Sequence, residues 1–155
     1  MITNRHIALA ILAALTMTVP GLGNPRHPVE RSVKGYAIAH WEISLADGSC
    51  TTTQVGITTH LGACTLEGTG LFDFGIGFPI SASGTGTVPN GDQVFWEAPP
   101  PAMQVIFTGG TGRFQGITGV IDITEIVSGP FYDVDEAAGI MTMDVVYTCA
   151  GTVTY

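Results

Sequence analysis

From Gly35 onward the chain alternates in short runs, and the alternation has a period of two. Tyr36–Leu45 sets Ala37, Ala39, Trp41, Ile43 and Leu45 on one side, with Tyr36, Ile38, His40, Glu42 and Ser44 on the other. Ile140–Tyr155 does the same with Met141, Met143, Val145, Tyr147 and Cys149. Successive side chains of a strand point to opposite faces, so each run predicts a strand with one buried face. Six further runs read as strands from their β-branched and aromatic content: Thr51–Thr59, Cys64–Phe74, Ile80–Val88, Gln93–Glu97, Met103–Thr108 and Ile117–Val127. No stretch keeps apolar residues at i, i+3, i+4 and i+7 without Gly, Pro or β-branched interruption, so no helix is predicted.

The joins between these runs carry turn chemistry. Asp47-Gly48 separates the first two, and Pro89-Asn90-Gly91-Asp92 contains the Asn-Gly pair suited to a tight hairpin. Pro99-Pro100-Pro101 cannot donate ladder hydrogen bonds and reads as a connector. Phe131 to Gly139 reads as an acidic loop. Eight short strands with tight joins predict an all-β fold, an eight-stranded antiparallel β-barrel, with a sandwich as the alternative. Closure removes exposed sheet edges, and eight strands leave an interior for packed side chains or one small ligand.

The first 23 residues do not follow this pattern. Met1–His6 is a short segment carrying Arg5, Ile7–Val19 is apolar, and Pro20-Gly21-Leu22-Gly23 offers small residues for cleavage. The apolar run is shorter than the roughly 20 residues a membrane span needs, so residues 1–23 are expected to be a secretory signal peptide. Residues 24–34, with two prolines, read as a flexible leader, and residues 35–155 as one barrel domain. The expected location is secreted or periplasmic, with no membrane attachment once the signal is cut.

Charge then narrows the partners. The full chain has 155 residues and a net charge of −8. Cutting after residue 23 leaves four bases, Arg26, Arg31, Lys34 and Arg113, against all 13 acids, a net charge of −9. There is no basic stripe, which excludes a nucleic-acid binder. Charged residues are only 12%, so this is no disordered polyelectrolyte. The 21 glycines follow no Gly-x-y period, which excludes collagen. Three cysteines, Cys50, Cys64 and Cys149, allow at most one internal pair. A Cys50–Cys64 disulfide is preferred for its short loop, with Cys149 as a buried apolar side chain.

The densest glycine cluster is Phe107–Gly119, FTGGTGRFQGITG. It resembles the GGTG(R/K)F-x-G-x-(T/R)-G signature of the allene oxide cyclase barrel superfamily. That group contains plant dirigent proteins, allene oxide cyclases and exported bacterial proteins of unknown role. Thr59-His60-Leu61-Gly62 and Asn90-Gly91-Asp92 resemble the bacterial members in kind and spacing. The resemblance covers residues 35–155 and implies a dirigent-like, calycin-like barrel, without implying one activity. It also implies that homo-oligomers are compatible with this chain. Bacterial members continue with Arg-Phe after His-Leu-Gly, where this chain has Ala63-Cys64; a cysteine at an aromatic core position favours a disulfide there.

Candidate chemistry is sparse. Gly110–Gln115 breaks G-x-G-x-x-G at its last position and opens no helix, so a phosphate loop is not expected. No HxH or HExxH spacing occurs, and Asp133-Val134-Asp135-Glu136 lacks the glycine and terminal glutamate of a calcium loop, so no metal and no cofactor are expected. No Gly-x-Ser-x-Gly elbow occurs. His40 and Glu42 share a strand face and are the catalytic candidates: in the lumen, the pair could move protons on a bound substrate. The apolar opposite face favours placing them outside instead. Trp41, Phe95, Trp96, Arg113 and Phe114 are the ligand-binding candidates, four aromatics for an apolar pocket and one isolated cation. Arg113 has a structural alternative, holding carbonyls or an acid at the GGTGRF connection.

Two functions follow. One is a barrel that binds a small apolar molecule or acts as an interaction module, with no assigned reaction. The other is a cofactor-independent cyclase, isomerase or dirigent-like protein working in the lumen. The second requires Glu42, His40, Asp122 or Asp144 to point into a pocket.

Overall fold

A computed structural model describes residues 28–155 of the chain; the segment expected to be a signal peptide and the first residues of the expected leader lie outside them. The strands are β1 (Glu30–Ser44), β2 (Ser49–Thr58), β3 (Gly62–Asp73), β4 (Phe78–Thr87), β5 (Gln93–Ala98), β6 (Gln104–Gly110), β7 (Thr118–Asp135) and β8 (Ile140–Thr154). Each pairs antiparallel with the next, and β8 returns to β1 to close the barrel. Among the described residues a single 3-10 turn, Gly112–Phe114, stands between β6 and β7.

The alternation written in the sequence decides which faces are buried. Val33, Ala37, Ala39, Trp41 and Ile43 of β1 face inward, as do Met141, Met143, Val145, Tyr147, Cys149 and Val153 of β8. Cys50, Thr52 and Gln54 of β2 and Val94, Trp96 and Ala98 of β5 complete much of the interior. The glycines inside strands make room for larger neighbours. A Cβ on Gly68 would sit 2.7 Å from the Trp96 ring, so the indole occupies space that any side chain there would deny it.

Two segments differ from the sequence reading. Glu30–Lys34, read as leader, is strand: it pairs residue for residue with Thr154–Ala150 of β8, and Val33 is fully buried. Phe131–Asp135, read as loop, continues β7, opposite Asp144–Ile140. In both cases the long-range partner supplies the hydrogen bonds that local polarity argued against. Strand β7 reaches that length through three register shifts, between Ile123 and Phe131, which bend it as bulges do.

One end of the barrel gathers the three motifs of the sequence. The Asp92 carboxylate accepts from the Arg113 backbone N–H at 3.2 Å and from Asn90 Nδ2 at 2.9 Å. Thr111 Oγ1 accepts from the Gln93 N–H at 2.9 Å. Gly112 has φ +55°, and a Cβ there would overlap the Asp92 carboxylate, so this position requires glycine twice over. His60 and Leu61 belong to the same end: the Leu61 carbonyl accepts from Arg113 and the His60 carbonyl from Tyr155 Oη. The motifs are a clamp on the barrel's end.

Candidate functional site

The lumen is a packed core. Two small cavities remain in it, about 50 Å³ beside Cys64, Leu66, Val94, Phe107 and Cys149, and about 30 Å³ beside Trp41, Gln54, Trp96 and Val145. Tyr147 lines both. Pockets for drug-sized molecules span roughly 300–1,000 Å³, so neither cavity accommodates one as it stands. Tyr147 Oη donates to Gln54 Oε1 at 2.5 Å, and Thr52 Oγ1 donates to the His40 carbonyl at 3.1 Å. The Trp96 indole N–H is buried without an acceptor. These four groups are poor general acids or bases at neutral pH, and burial pushes the Tyr147 hydroxyl up further from its ordinary range.

The catalytic candidates are outside. His40 Nδ1 lies 2.8 Å from Asp144 Oδ1, with both side chains about half exposed. Glu42 is exposed, two residues along the same outer face. Asp122 is exposed and accepts from Gln104 Nε2 at 2.8 Å. None of the four reaches the lumen, so the enzymatic reading loses the acid–base groups it required there.

Of the ligand-binding candidates, Trp41 and Trp96 are buried in the lumen, whereas Phe95 points outward and is 39% exposed. Phe114 is fully buried beside the Tyr155 ring, 5.4 Å between centroids. Arg113 donates from Nη2 to the Leu61 carbonyl at 2.8 Å and lies 4.5 Å over the Phe114 ring. Its charge therefore braces the end clamp, the structural alternative, and the five candidates do not converge on one pocket.

The expected disulfide is corrected by register. Cys50 is opposite Gly70, whereas Cys64 is opposite Gly56. Six residues of β2 separate these levels, about 20 Å at 3.4 Å per residue, against the roughly 7 Å a disulfide can span between Cα atoms. All three cysteines are free. Burial pushes the Cys50 thiol up to about 11 and raises those of Cys64 and Cys149, so all three stay protonated and weakly nucleophilic at neutral pH. Among the described residues no group of three His, Cys, Asp or Glu side chains could hold a metal ion.

Ligand-sized concavities lie on the outer wall. A groove of about 840 Å³ crosses β1 to β5 and is lined by Glu42, Thr51, Thr69, Ser83 and Glu97, each the cross-strand partner of the next. Ser44, Ser49, Leu71 and Ser81 form a second row beside it. A smaller groove of about 510 Å³, lined by Val55, Thr65, Glu67 and Thr87, lies further along the same strands. Side chains directly opposite on neighbouring strands share a face, so these hydroxyls form an ordered field. The sequence did carry this signal, as Thr51 and Thr53, Thr65 and Thr69, and Thr85 and Thr87 recur at even spacing. Taken one strand at a time, they read only as the solvated face.

Comparison with known proteins is consistent with the barrel and silent on chemistry. No protein-family model matches the chain, and no curated protein does. Among solved structures, the pterocarpan synthase dirigent protein GePTS1 matches with a TM-score of 0.52 at 12% identity, over 92% of this chain and 98% of that one. At that identity the likeness concerns the fold. The chain is a closed, eight-stranded antiparallel barrel of the dirigent-like type.

Proposed function

We propose that this barrel is a non-catalytic binding module whose recognition surface is the outer wall of β1 to β5. One observation carries the reading: the lumen is filled to cavities of about 50 and 30 Å³, while the grooves outside measure about 840 and 510 Å³. The lack of carboxylates and histidines in the lumen, among the described residues, supports binding over turnover. The small apolar ligand expected from the sequence is displaced by this reading, because the apolar space is occupied by the protein's own side chains. Export to a secreted or periplasmic location, with cleavage near Gly23, belongs to the same proposal and rests on the N-terminal pattern alone. Self-association belongs to it too, supported by the exposed block of Tyr36, Ile38, Val55 and Ile57 on adjoining strands.

A fragment screen followed by amide NMR tests the site. Binding fragments should shift the amides of Thr51, Thr69 and Ser83, and Thr69→Trp, which fills the groove, should remove those shifts. Shifts confined to Val94, Tyr147 and Cys149 would place recognition in the lumen and overturn the proposal.

A further inference from the structure

We infer that the outer wall takes a neutral, polyhydroxylated ligand, an oligosaccharide or the chain of a polysaccharide. This inference rests on the outer-wall reading above and names its ligand class. The polar lining of the two grooves is eight Ser and Thr hydroxyls and three carboxylates, Glu42, Glu67 and Glu97, set among apolar residues such as Leu71, Ile140 and Val55, with no Lys or Arg. Anionic ligands find no counter-charge there and meet like charges instead. A sugar supplies what this wall lacks, namely many hydroxyl donors for carboxylate acceptors, each able to accept in turn from a Ser or Thr hydroxyl.

The spacing is repetitive. Same-face residues recur at about 4.8 Å between strands and about 6.8 Å along them. Such a lattice suits a ligand that repeats one pattern of hydroxyls better than a compact ligand with a single polar group. An apolar platform is also present. Phe95 is exposed on the outer face of β5, two residues from Glu97 and cross-strand from Thr85. The C–H face of a pyranose ring can lie on that ring while its hydroxyls reach Glu97 and Ser83. Ser83 is the cross-strand partner of Glu97, which puts both beside the platform. Hydroxyl rows, acceptors and an exposed ring thus share one wall of the barrel. The lumen offers no such combination.

The full chain should be applied to an array of neutral oligosaccharides and to insoluble cellulose and chitin. At least one neutral glycan should retain it, with little change between low and high salt, since no ion pair is involved. Phe95→Ala and Glu97→Gln are surface changes whose folding is checked by circular dichroism. Each should weaken retention by tenfold or more. Failure of the folded wild type to bind any neutral glycan, or retention untouched by Phe95→Ala, overturns the inference. A parallel NMR titration with spermine separates the two readings. Salt-sensitive shifts at Thr51, Thr69 and Ser83 with the amine alone would reject the sugar class and leave the outer wall standing. Glycan-induced shifts at lumen amides would reject both.

Discussion

The Tyr147–Gln54 hydrogen bond offers the sharpest test of whether the barrel interior is a core or a binding cavity. Tyr147→Phe removes one oxygen and leaves the ring. Gln54 Oε1 then loses the donor that reaches it at 2.5 Å, in a residue only 6% exposed. Its amide nitrogen has only a long contact to Thr52 Oγ1, 3.4 Å, so the side chain has little reason to turn elsewhere. A buried acceptor left unpaired costs about 1–3 kcal/mol, whereas replacing both partners by apolar groups of similar shape is nearly neutral. Tyr147→Phe is therefore expected to lose about 1–3 kcal/mol, or roughly 3–15 °C in Tm for a domain of this size. Gln54→Leu, which orphans the phenol, should lose a similar amount. The double variant should return to within about 1 kcal/mol of the parent, giving a coupling of at least about 1 kcal/mol in a double-mutant cycle. Urea unfolding with a shared m-value is the assay. A Tyr147→Phe cost below about 0.5 kcal/mol, with additive single changes, would mean that solvent replaces the lost bond. A wet, open lumen would refute the packed interior on which the outer-wall proposal stands.

Two further outcomes follow from the same structure. Asp92 has its carboxyl held below the ordinary range by the Asn90 side chain first, then by the Arg113 backbone N–H. A lowered folded-state value means that this bond network stabilises the fold above the ordinary carboxylate pKa of about 3.9. That stabilisation fades as pH falls through the lower folded value, so Asp92→Asn should flatten the acid limb of a stability-against-pH curve between about pH 5 and 2; an unchanged limb would remove Asp92 from the clamp. The thiols give the other outcome. Unfolded under non-reducing conditions the protein should react with a thiol reagent at all three cysteines, and when folded at pH 8 it should react slowly, because all three thiols are raised by burial. A count of one thiol per unfolded chain would restore an internal disulfide.

Strand type and burial were legible from the chain because they are local. Ala37 through Ile43 and Met141 through Cys149 alternate apolar residues, and a period of two can serve only one buried face. The turn at Asn90-Gly91 and the glycine cluster around Gly112 were legible for the same reason, since left-handed backbone selects its residue locally. Length and closure were different. Glu30–Lys34 and Phe131–Asp135 look like leader and loop by composition. They are strands because Thr154–Ala150 and Asp144–Ile140 lie opposite them, a long-range fact with no local signature.

The candidate site divides along the same line. His40 and Glu42 share a face by the spacing of two, and the apolar face opposite already argued that they point outward. Cys50 and Cys64 are close in sequence, but closeness along a hairpin says nothing of level across it, and the β2–β3 register sets them six residues apart. Phe95 and Trp96 are neighbours with opposite fates, one on the wall and one in the lumen, because adjacent side chains in a strand must diverge. The sequence by itself determined that an all-β fold of short antiparallel strands would form and which residues could face inward. Only the tertiary structure decided that those inward residues fill the lumen, and that hydroxyls scattered over β1 to β4 line up across strands into one wall. Register and packing volume are properties of pairs and of space, and neither is written in any single strand.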